Sequence, residues 1–289
     1  MKLKDLFLRE KPTLSFEVFP PKRDAEYQSV QTAVDAIAAL VPDFMSVTYG
    51  AGGGTSALTA QMAENIGRRG VTSLAHLTCV SSNREEVRGQ LALLRDRGIE
   101  NILALRGDLP EGCSLDDATD YRYAAQLVEE IRDFGGFSIG AACYPEGHVD
   151  APSQGEDLLR LREKVERGCD FLITQMFFDN AALYSFLYRA ERNGIHVPVV
   201  AGVMPVTNAK QIARICALSG TTLPNRFRMI VDKFGSDPEA MRQAGIAYAT
   251  EQIVDLIANG VRGVHVYTMN KPEIAAQISA NLSCILGRP

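Results

Sequence analysis

The sequence predicts an α/β fold, a (β/α)8 barrel of parallel strands with extra helices near the C-terminus. Two observations support this prediction. Eight short apolar segments recur along the chain, and amphipathic helical segments lie between them. The repeat is about 30 residues long, which suits eight strand–helix units in a barrel of about 250 residues. An open doubly wound sheet has the same alternation and is the alternative architecture.

We assign each strand from its apolar run. In chain order, the predicted strands are 14–19, 44–49, 73–79, 101–106, 137–143, 171–177, 197–203 and 263–268. Strict alternation of strands and helices implies that the strands are parallel and that their crossovers are right-handed.

The helical segments show the expected periodicity and end signals. YQSVQTAVDAIAAL and REEVRGQLALLRDRG have helical periods, and the second ends at Gly98, as helices commonly do. The gap between the last two strands is about twice the usual length. We expect an extra helix there near PNRFRMIV, followed by the long helix DPEAMRQAGIAYATEQIVDLIANG. A closing helix, KPEIAAQISANLSCIL, follows the last strand.

Composition narrows the class of protein. The 289 residues are 46% hydrophobic and 22% charged, which suits a soluble chain with a substantial core. A net charge of −5 gives no general reason to bind nucleic acid or an anionic membrane. The N-terminal MKLKDLFLRE lacks signal-peptide features, and six scattered cysteines without CxxC spacing are typical of reduced thiols. We therefore expect one catalytic barrel over 1–289, located in the cytoplasm.

Polar residues follow seven of the eight predicted strands, at the end of a barrel where enzymes of this fold place their chemistry. Glu17 shares a strand face with Ser15, and an interior carboxylate is costly unless it is paired or used. A salt bridge across the barrel is one interpretation of Glu17, and a chemical role is the other. The polar residues at the other strand ends are Thr48 and Tyr49, His76 and Thr78, Arg106 and Asp108, Tyr144, Glu146 and His148, Gln175, and Tyr267, Asn270 and Lys271.

Several familiar sites are not indicated. The four histidines lack HxH or HExxH spacing, so no metal site is expected. The loop GAGGGTS matches neither phosphate-binding pattern. Lys164 lies on a helical segment and Lys271 just beyond a strand, whereas an aldolase usually holds its lysine within one. Another barrel enzyme without flavin, such as an aldolase or hydrolase, remains an alternative, as does a module displaying Arg106-Gly107-Asp108 for adhesion.

Eight motifs carry a resemblance to a known family. They are, in this order, SFEVFPPK, SVTYGAGG, HLTCV, ALRGDLP, AACYPEGH, DLLRLREKVERGCDFLITQMFFD, GVMPVTNAKQ and HVYTMNK. From about residue 12 to its end the chain closely resembles the bacterial methylenetetrahydrofolate reductases, flavoenzymes built on a (β/α)8 barrel.

The resemblance implies an FAD-dependent oxidoreductase of one-carbon metabolism and methionine biosynthesis. Such an enzyme reduces 5,10-methylenetetrahydrofolate to 5-methyltetrahydrofolate with NADH or NADPH, by ping-pong hydride transfer through the flavin. It also implies a homo-oligomer, with neither nucleic acid nor a membrane as partner. The chain stops where the barrel stops, so no regulatory domain is expected.

The resemblance also implies site residues. For FAD, the matching residues are Thr48, His76, Arg106, Gly107, Asp108, Tyr123, Ala124, Tyr144, His148, Asp157 and Lys164. For folate, they are Glu17, Asp108, Gln175, Gln211, Tyr267 and Lys271. Glu17 would act as the general acid that opens the methylene bridge, and Asp108 would stabilise the iminium cation that forms. Arg106 and Lys164 would neutralise the FAD pyrophosphate.

Three positions depart from the enterobacterial members of that family. Ile215 stands where they have a phenylalanine that stacks on bound substrates. Lys271 replaces an arginine at the folate tail, which keeps the charge but loses the bidentate fork. Arg160 replaces an asparagine in the FAD region.

Overall fold

The computed structural model describes residues 1–21, 23–49, 56–109, 112 and 120–288. In this part of the chain, eight parallel strands close into a barrel in sequence order, so the predicted barrel is confirmed and the open sheet is wrong. The strands are β1 (Thr13–Val18), β2 (Phe44–Val47), β3 (Thr72–Thr78), β4 (Asn101–Leu105), β5 (Ser138–Cys143), β6 (Phe171–Thr174), β7 (Val199–Val203) and β8 (Gly263–Tyr267).

Helices surround the barrel, and a short 3₁₀ turn, Asp24–Glu26, precedes the second of them. They are α1 (Leu3–Leu6), α2 (Tyr27–Ala38), α3 (Ser56–Arg68), α4 (Arg84–Asp96), α5 (Ala124–Phe134), α6 (Gln154–Glu166), α7 (Asn180–Arg192), α8 (Ala209–Ser219), α9 (Asn225–Phe234), α10 (Pro238–Ala258) and α11 (Pro272–Leu282). Helices α9, α10 and α11 are the three that we expected near the C-terminus.

Local sequence signals explain where helices begin. The Asn83 side chain accepts the Glu86 backbone N–H, and the Glu86 carboxylate accepts that of Asn83, which together form a capping box at the start of α4. Ser153 caps α6 in a similar way by accepting the Glu156 N–H. These caps satisfy backbone donors that the first helical turn leaves without partners.

Strands β2 and β6 end two and three residues before their predicted ends. The sequence pattern runs to residue 49 in β2 and to residue 177 in β6, but pairing ends at Val47 and Thr174. In β2 the reason is the neighbouring strand: Phe19 N–H bonds to the Asn270 side chain, and the next residue, Pro20, has no N–H. Thr48 and Gln175 therefore lie just beyond their strands.

Helix α1 closes the N-terminal end of the barrel. Leu3 and Leu6 are buried against the inward-facing Phe44 and Phe171, and the ring of Phe7 packs beside them. Backbone groups are anchored as well, because Leu3 N–H donates to the Asn101 side chain at 2.7 Å. Chemistry is thereby left to the opposite end of the barrel.

A small additional core lies beside the C-terminal end of the barrel. Met176 and Phe178, which follow β6, pack against Phe227 of α9 and Met241 of α10. Phe227 stacks between Phe178 and Tyr248, with ring centroids 5.3 Å and 4.3 Å apart. The long insertion between β7 and β8 is thus attached to the barrel rim.

The cysteines described by the structure are free thiols, as their spacing predicts. Cys79, Cys143 and Cys169 are buried free thiols, whereas Cys113 lies outside the described residues. Within the described ranges, every helix is too short or too polar to cross a membrane.

Candidate active site

A large cleft opens at the C-terminal ends of β3, β4 and β5 and extends along α5 and α6. Its volume is about 920 Å³. Nine of the eleven residues that the resemblance assigns to FAD line it: Arg106, Gly107, Asp108, Tyr123, Ala124, Tyr144, His148, Asp157 and Lys164. Six of these residues come from three separate segments, at the start of α5, after β5 and on α6. The barrel topology brings the three segments to one face.

The Arg106-Gly107-Asp108 tripeptide forms one wall of the cleft. The Arg106 carbonyl accepts the backbone N–H groups of Cys79 and Val80, at 3.1 Å and 2.9 Å, which holds the β4 tip against the β3 tip. The Arg106 guanidinium is partly buried and donates to Asp150 at 2.8 Å. This hydrogen bond lowers the pKa of Asp150 below its usual value. Asp108 is exposed at the cleft.

Gly107 meets two geometric demands of the tripeptide. Its φ of +86° lies in the left-handed region, which favours glycine. A Cβ at this position would come within 2.9 Å of the Thr78 Cβ. The tight turn and the close approach of β3 therefore both require glycine here.

Ionisable groups meet deeper in the cleft. The Lys164 ammonium donates to the Ala142 carbonyl at 2.9 Å, and removal from water lowers its pKa. Desolvation raises the pKa of nearby Asp157, and the same cause, aided by Arg106, lowers that of His148. Burial raises the pKa of Tyr144 to about 12, and its ring meets the His148 ring edge-on at 4.5 Å. An arriving anion would offset the cost of burying Lys164.

The outer rim of the cleft carries a cation over an aromatic ring. The Arg160 guanidinium lies 4.9 Å from the centre of the Tyr123 ring, and Glu156 and Glu163 flank it. Tyr123 is 38% exposed. Arg160, one of the three departures noted above, therefore belongs to the cleft lining.

Glu17 lies inside the barrel mouth and is 7% exposed. Its Oε2 atom is 3.5 Å from His76 Nε2 and 3.8 Å from His265 Nε2. Burial lowers the pKa of His76 to about 4, so its ring is neutral at physiological pH. Among the described residues, the ion-pair contacts of Glu17 are with these two histidines and not with a lysine or arginine.

Glu17 lies next to the cleft, at the same end of the barrel. Thr78 lines the cleft, and His76, two residues earlier on the same face of β3, faces Glu17. Neither His76 nor Thr48 lines the cleft itself.

The remaining residues assigned to folate come from the segments after β6 and β8, from the end of β8 and from helix α8. Tyr267 O–H donates to the Thr174 carbonyl at 2.6 Å, and Gln175 follows directly after Thr174. The Lys271 ammonium donates to Thr207 at 3.1 Å. Gln211 is exposed on the first turn of α8. The structure brings none of these four into the lining of the cleft.

Sequence reasoning assigned no role to four residues near the site. Asp150 pairs with Arg106 across 44 residues of sequence, and no local motif marks that contact. Ser15, Ser46 and His265 form a buried hydrogen-bonded group beside Glu17. The two-residue alternation that placed Glu17 inside the barrel also places Ser15 there. The sequence signal for Ser46 and His265 was that each is a polar residue within an otherwise apolar strand, β2 or β8.

Comparisons with known proteins identify the family of the chain. The family model described as methylenetetrahydrofolate reductase matches residues 2–283. A 5,10-methylenetetrahydrofolate reductase of Pectobacterium carotovorum subsp. carotovorum is 35% identical over 276 residues, covering 95% of this chain and 91% of that protein. Methylenetetrahydrofolate reductase (NADH) 1 of Zea mays is also 35% identical, over 94% of this chain and 48% of its own length.

A solved structure shares the fold. It is an uncharacterized protein from Clostridium thermocellum that binds two copies of 5-methyl-5,6,7,8-tetrahydrofolic acid, with a TM-score of 0.64, 16% identity and 99% coverage of both chains. At this identity the likeness concerns the fold alone. The family match over nearly the whole chain is stronger evidence. The chain belongs to the methylenetetrahydrofolate reductase family.

Proposed function

We propose that the protein reduces 5,10-methylenetetrahydrofolate to 5-methyltetrahydrofolate, with NADH or NADPH as electron source and FAD as the hydride carrier. One observation carries the proposal. In a chain of the reductase family, a cleft lined by three lysine or arginine side chains and four aromatic or imidazole rings opens beside a buried carboxyl group at the barrel mouth. The flavin-free alternatives, an aldolase or hydrolase, are not favoured by the family match.

The cleft residues fit a dinucleotide. A volume of about 920 Å³ is at the upper end of the range for ligand pockets, which suits a long ligand. Arg106 and Lys164 supply positive charge for a pyrophosphate, and Gly107 lets the backbone approach closely. Tyr123 and Tyr144 offer ring surfaces at two depths. Thr48 and His76 would complete the set from the neighbouring strands.

FAD, when bound, accepts a hydride from the nicotinamide and later delivers one to the folate. Residues of the protein would bind and orient the reactants in both hydride transfers. Asp108 places negative charge at the rim, where it would stabilise a cation developing on the folate. Gln175 offers an amide that can bond either ring system, and Tyr267 supports Gln175 through Thr174. Lys271 and Gln211 would bind the folate from outside the cleft.

Glu17 would supply the proton of the folate reaction. Its carboxyl group lies inside the mouth, shielded from water and beside two histidine rings. Protonation of a folate nitrogen by Glu17 would open the methylene bridge and leave an iminium ion for hydride addition. Since the nucleotide and the folate would use the same cleft mouth in turn, ping-pong kinetics are expected.

The absorbance spectrum of the purified protein tests this function. We expect a yellow protein whose FAD is released by denaturation, and whose flavin is bleached by NADH or NADPH under anaerobic conditions. Titration with each nucleotide decides which one is preferred. A colourless protein that FAD does not reconstitute would reject the proposal.

Arg106→Ala tests the position of the pyrophosphate. A charge-assisted hydrogen bond contributes about 1.5–3 kcal/mol, so the dissociation constant for FAD should rise by about 10- to 100-fold. Arg162→Ala is the matched control, because Arg162 pairs with Glu166 on the exposed side of α6. Equal FAD affinity in both variants would mean that the pyrophosphate lies elsewhere.

A further inference from the structure

We propose that Glu146 and Thr221 are positioning residues that hold helix α8 at the barrel mouth for folate binding. The proposal deepens the proposed function and rests on it for the identity of the ligand. It is carried by the α8–α9 connection, residues 220–224, which is hydrogen-bonded both to the β5 loop, residues 144–153, and to the segment that follows β6.

Helix α8 has a narrow buried face. The structure describes all eleven of its residues, and among them Ile212 alone is buried, while Ile215 and Cys216 are partly buried. Gln211, which the resemblance assigns to folate, lies on its exposed first turn. The stability of a helix in a protein comes mostly from the packing of its apolar face, so α8 depends on contacts at its ends for its position.

The first contact joins the C-terminal end of α8 to the β5 loop. Both carboxylate oxygens of Glu146 accept the backbone N–H of Thr222, at 3.0 Å and 3.2 Å. A hydrogen bond to a carboxylate is stronger than one between two neutral groups. Gly220 ends α8 with a φ of +68°, and a Cβ there would come within 2.6 Å of Val149 Cγ1. The helix end therefore lies directly against the β5 loop.

The β5 loop holds Glu146 from its own side. The Tyr144 carbonyl accepts the Gly147 N–H at 3.0 Å, which closes a tight turn that contains Glu146. The Gln154 side chain donates to the Glu146 carbonyl at 3.1 Å. Tyr144 and His148, on either side of this turn, line the cleft. The loop that forms one wall of the cleft thus also supplies the acceptor for the α8–α9 connection.

The second contact joins the same connection to the segment after β6. Thr221 is 6% exposed, and its hydroxyl donates to the Met176 carbonyl at 3.0 Å. The Met176 N–H in turn donates to the side-chain oxygen of Gln175 at 2.9 Å. A buried hydroxyl group is costly without a partner, so this hydrogen bond restricts where Thr221 can lie. Two adjacent residues thus attach α8 to the cleft wall and to the segment that carries Gln175.

The N-terminal end of α8 lies beside a second residue assigned to folate. The Lys271 ammonium donates to Thr207, and the next residue, Asn208, caps α8 by accepting the Lys210 N–H at 3.0 Å. Lys271 and Gln211 are therefore both close to the start of this short helix. A displacement of its C-terminal end would change their relation to the cleft.

Hydrogen exchange of the Thr222 amide in the FAD-loaded protein tests the first contact. Glu146→Ala removes the acceptor, Glu146→Gln keeps a side-chain carbonyl, and Glu191→Ala removes a carboxylate that is 69% exposed on α7. We expect exchange to be about tenfold faster in Glu146→Ala, to increase less in Glu146→Gln and to stay unchanged in Glu191→Ala. Exchange at the wild-type rate in Glu146→Ala would overturn the proposal.

Steady-state kinetics test the consequence for folate. In Glu146→Ala, and in Thr221→Val, which keeps the shape but removes the hydroxyl group, the KM for 5,10-methylenetetrahydrofolate should rise by about tenfold. The kcat and the rate of flavin reduction by NADH or NADPH should stay within about threefold. Glu146→Gln should recover most of the loss, and Glu191→Ala should match the wild type. An unchanged KM, or equal losses in both half-reactions, would contradict a positioning role.

These outcomes differ from a failure of the proposed function. Exchange is measured without turnover, so it decides whether Glu146 holds α8 even in a protein that does not reduce folate. Fast exchange in Glu146→Ala together with an unreactive wild type would reject the proposed function and keep the contact. Wild-type folate reduction with unchanged exchange and KM in Glu146→Ala would reject the positioning role alone.

Discussion

At the residue scale, Glu17 is expected to affect the two half-reactions differently. Glu17→Gln keeps the shape of the side chain but removes its proton, and general acids commonly contribute about 10²–10⁴-fold to rate. The folate half-reaction should therefore collapse, whereas flavin reduction by NADH or NADPH should stay within about tenfold. Stopped-flow traces of the two half-reactions measure this. Equal losses in both halves would assign Glu17 a structural role instead.

Asp108→Asn is the companion variant, because it removes a charge at the rim that flavin and folate would both sense. We expect its flavin to be reduced more easily and its hydride transfer to folate to slow. An opposite shift of the flavin reduction potential would contradict the assigned position of Asp108.

Gly107 permits a second test at this scale, with Gly98 as its control. Both have positive φ, +86° and +72°, but a Cβ would meet Thr78 at 2.9 Å at Gly107 and nothing within 4 Å at Gly98. Alanine at either position should lower the free energy of unfolding by about 1–2 kcal/mol through backbone strain. Gly107→Ala alone should weaken FAD binding, because the added methyl group displaces the β3 tip. Urea unfolding and fluorescence titration with FAD measure the two effects, and similar FAD affinities would contradict the account.

At the element scale, α1 makes a separable contribution to the stability of the barrel. Leu6 is 1% exposed and fills the N-terminal end beside Phe44 and Phe171, whereas Leu8, two residues later, is 78% exposed. Leu6→Ala should lower the free energy of unfolding by about 2–5 kcal/mol, and Leu8→Ala should change it by less than about 0.5 kcal/mol. Denaturant unfolding of both variants checks this. A loss of similar size in both would mean that α1 does not fill the barrel in solution.

At the scale of the whole molecule, His76 makes stability depend on pH. Its pKa is about 4 in the folded protein and 6.5 in an unfolded chain, so the unfolded state binds the extra proton between these values. Stability from this residue is therefore present above pH 6.5 and is lost as the pH falls towards 4, by about 3 kcal/mol in all.

Urea unfolding between pH 4 and pH 7 measures this slope. His76→Gln should flatten it, whereas His196→Gln should leave it unchanged, because the His196 side chain is 64% exposed. A slope that is the same in wild type and His76→Gln would show that other groups cause the acid sensitivity.

Local sequence predicts most of the barrel and part of the site. The alternation of apolar runs and helical periods indicated eight strand–helix units, since each element needs one face to bury. The position of Arg106, Gly107 and Asp108 at a strand tip followed from the same pattern, and nine residues that the family resemblance assigned to FAD line the cleft. Their assignment to FAD and folate remains a prediction that the experiments above would test.

Closure of the barrel decided what local sequence did not. Ser15 and His265 are 250 positions apart, yet they are direct neighbours because β1 pairs with β8. The ends of β2 and β6, the pairing of Arg106 with Asp150 and the burial of α1 depend likewise on which elements lie side by side. A local pattern reports which face of an element is apolar. Contacts between distant elements depend on which strands pair with each other. In this protein, the pairing of β1 with β2 and β8 places Ser46 and His265 beside Glu17.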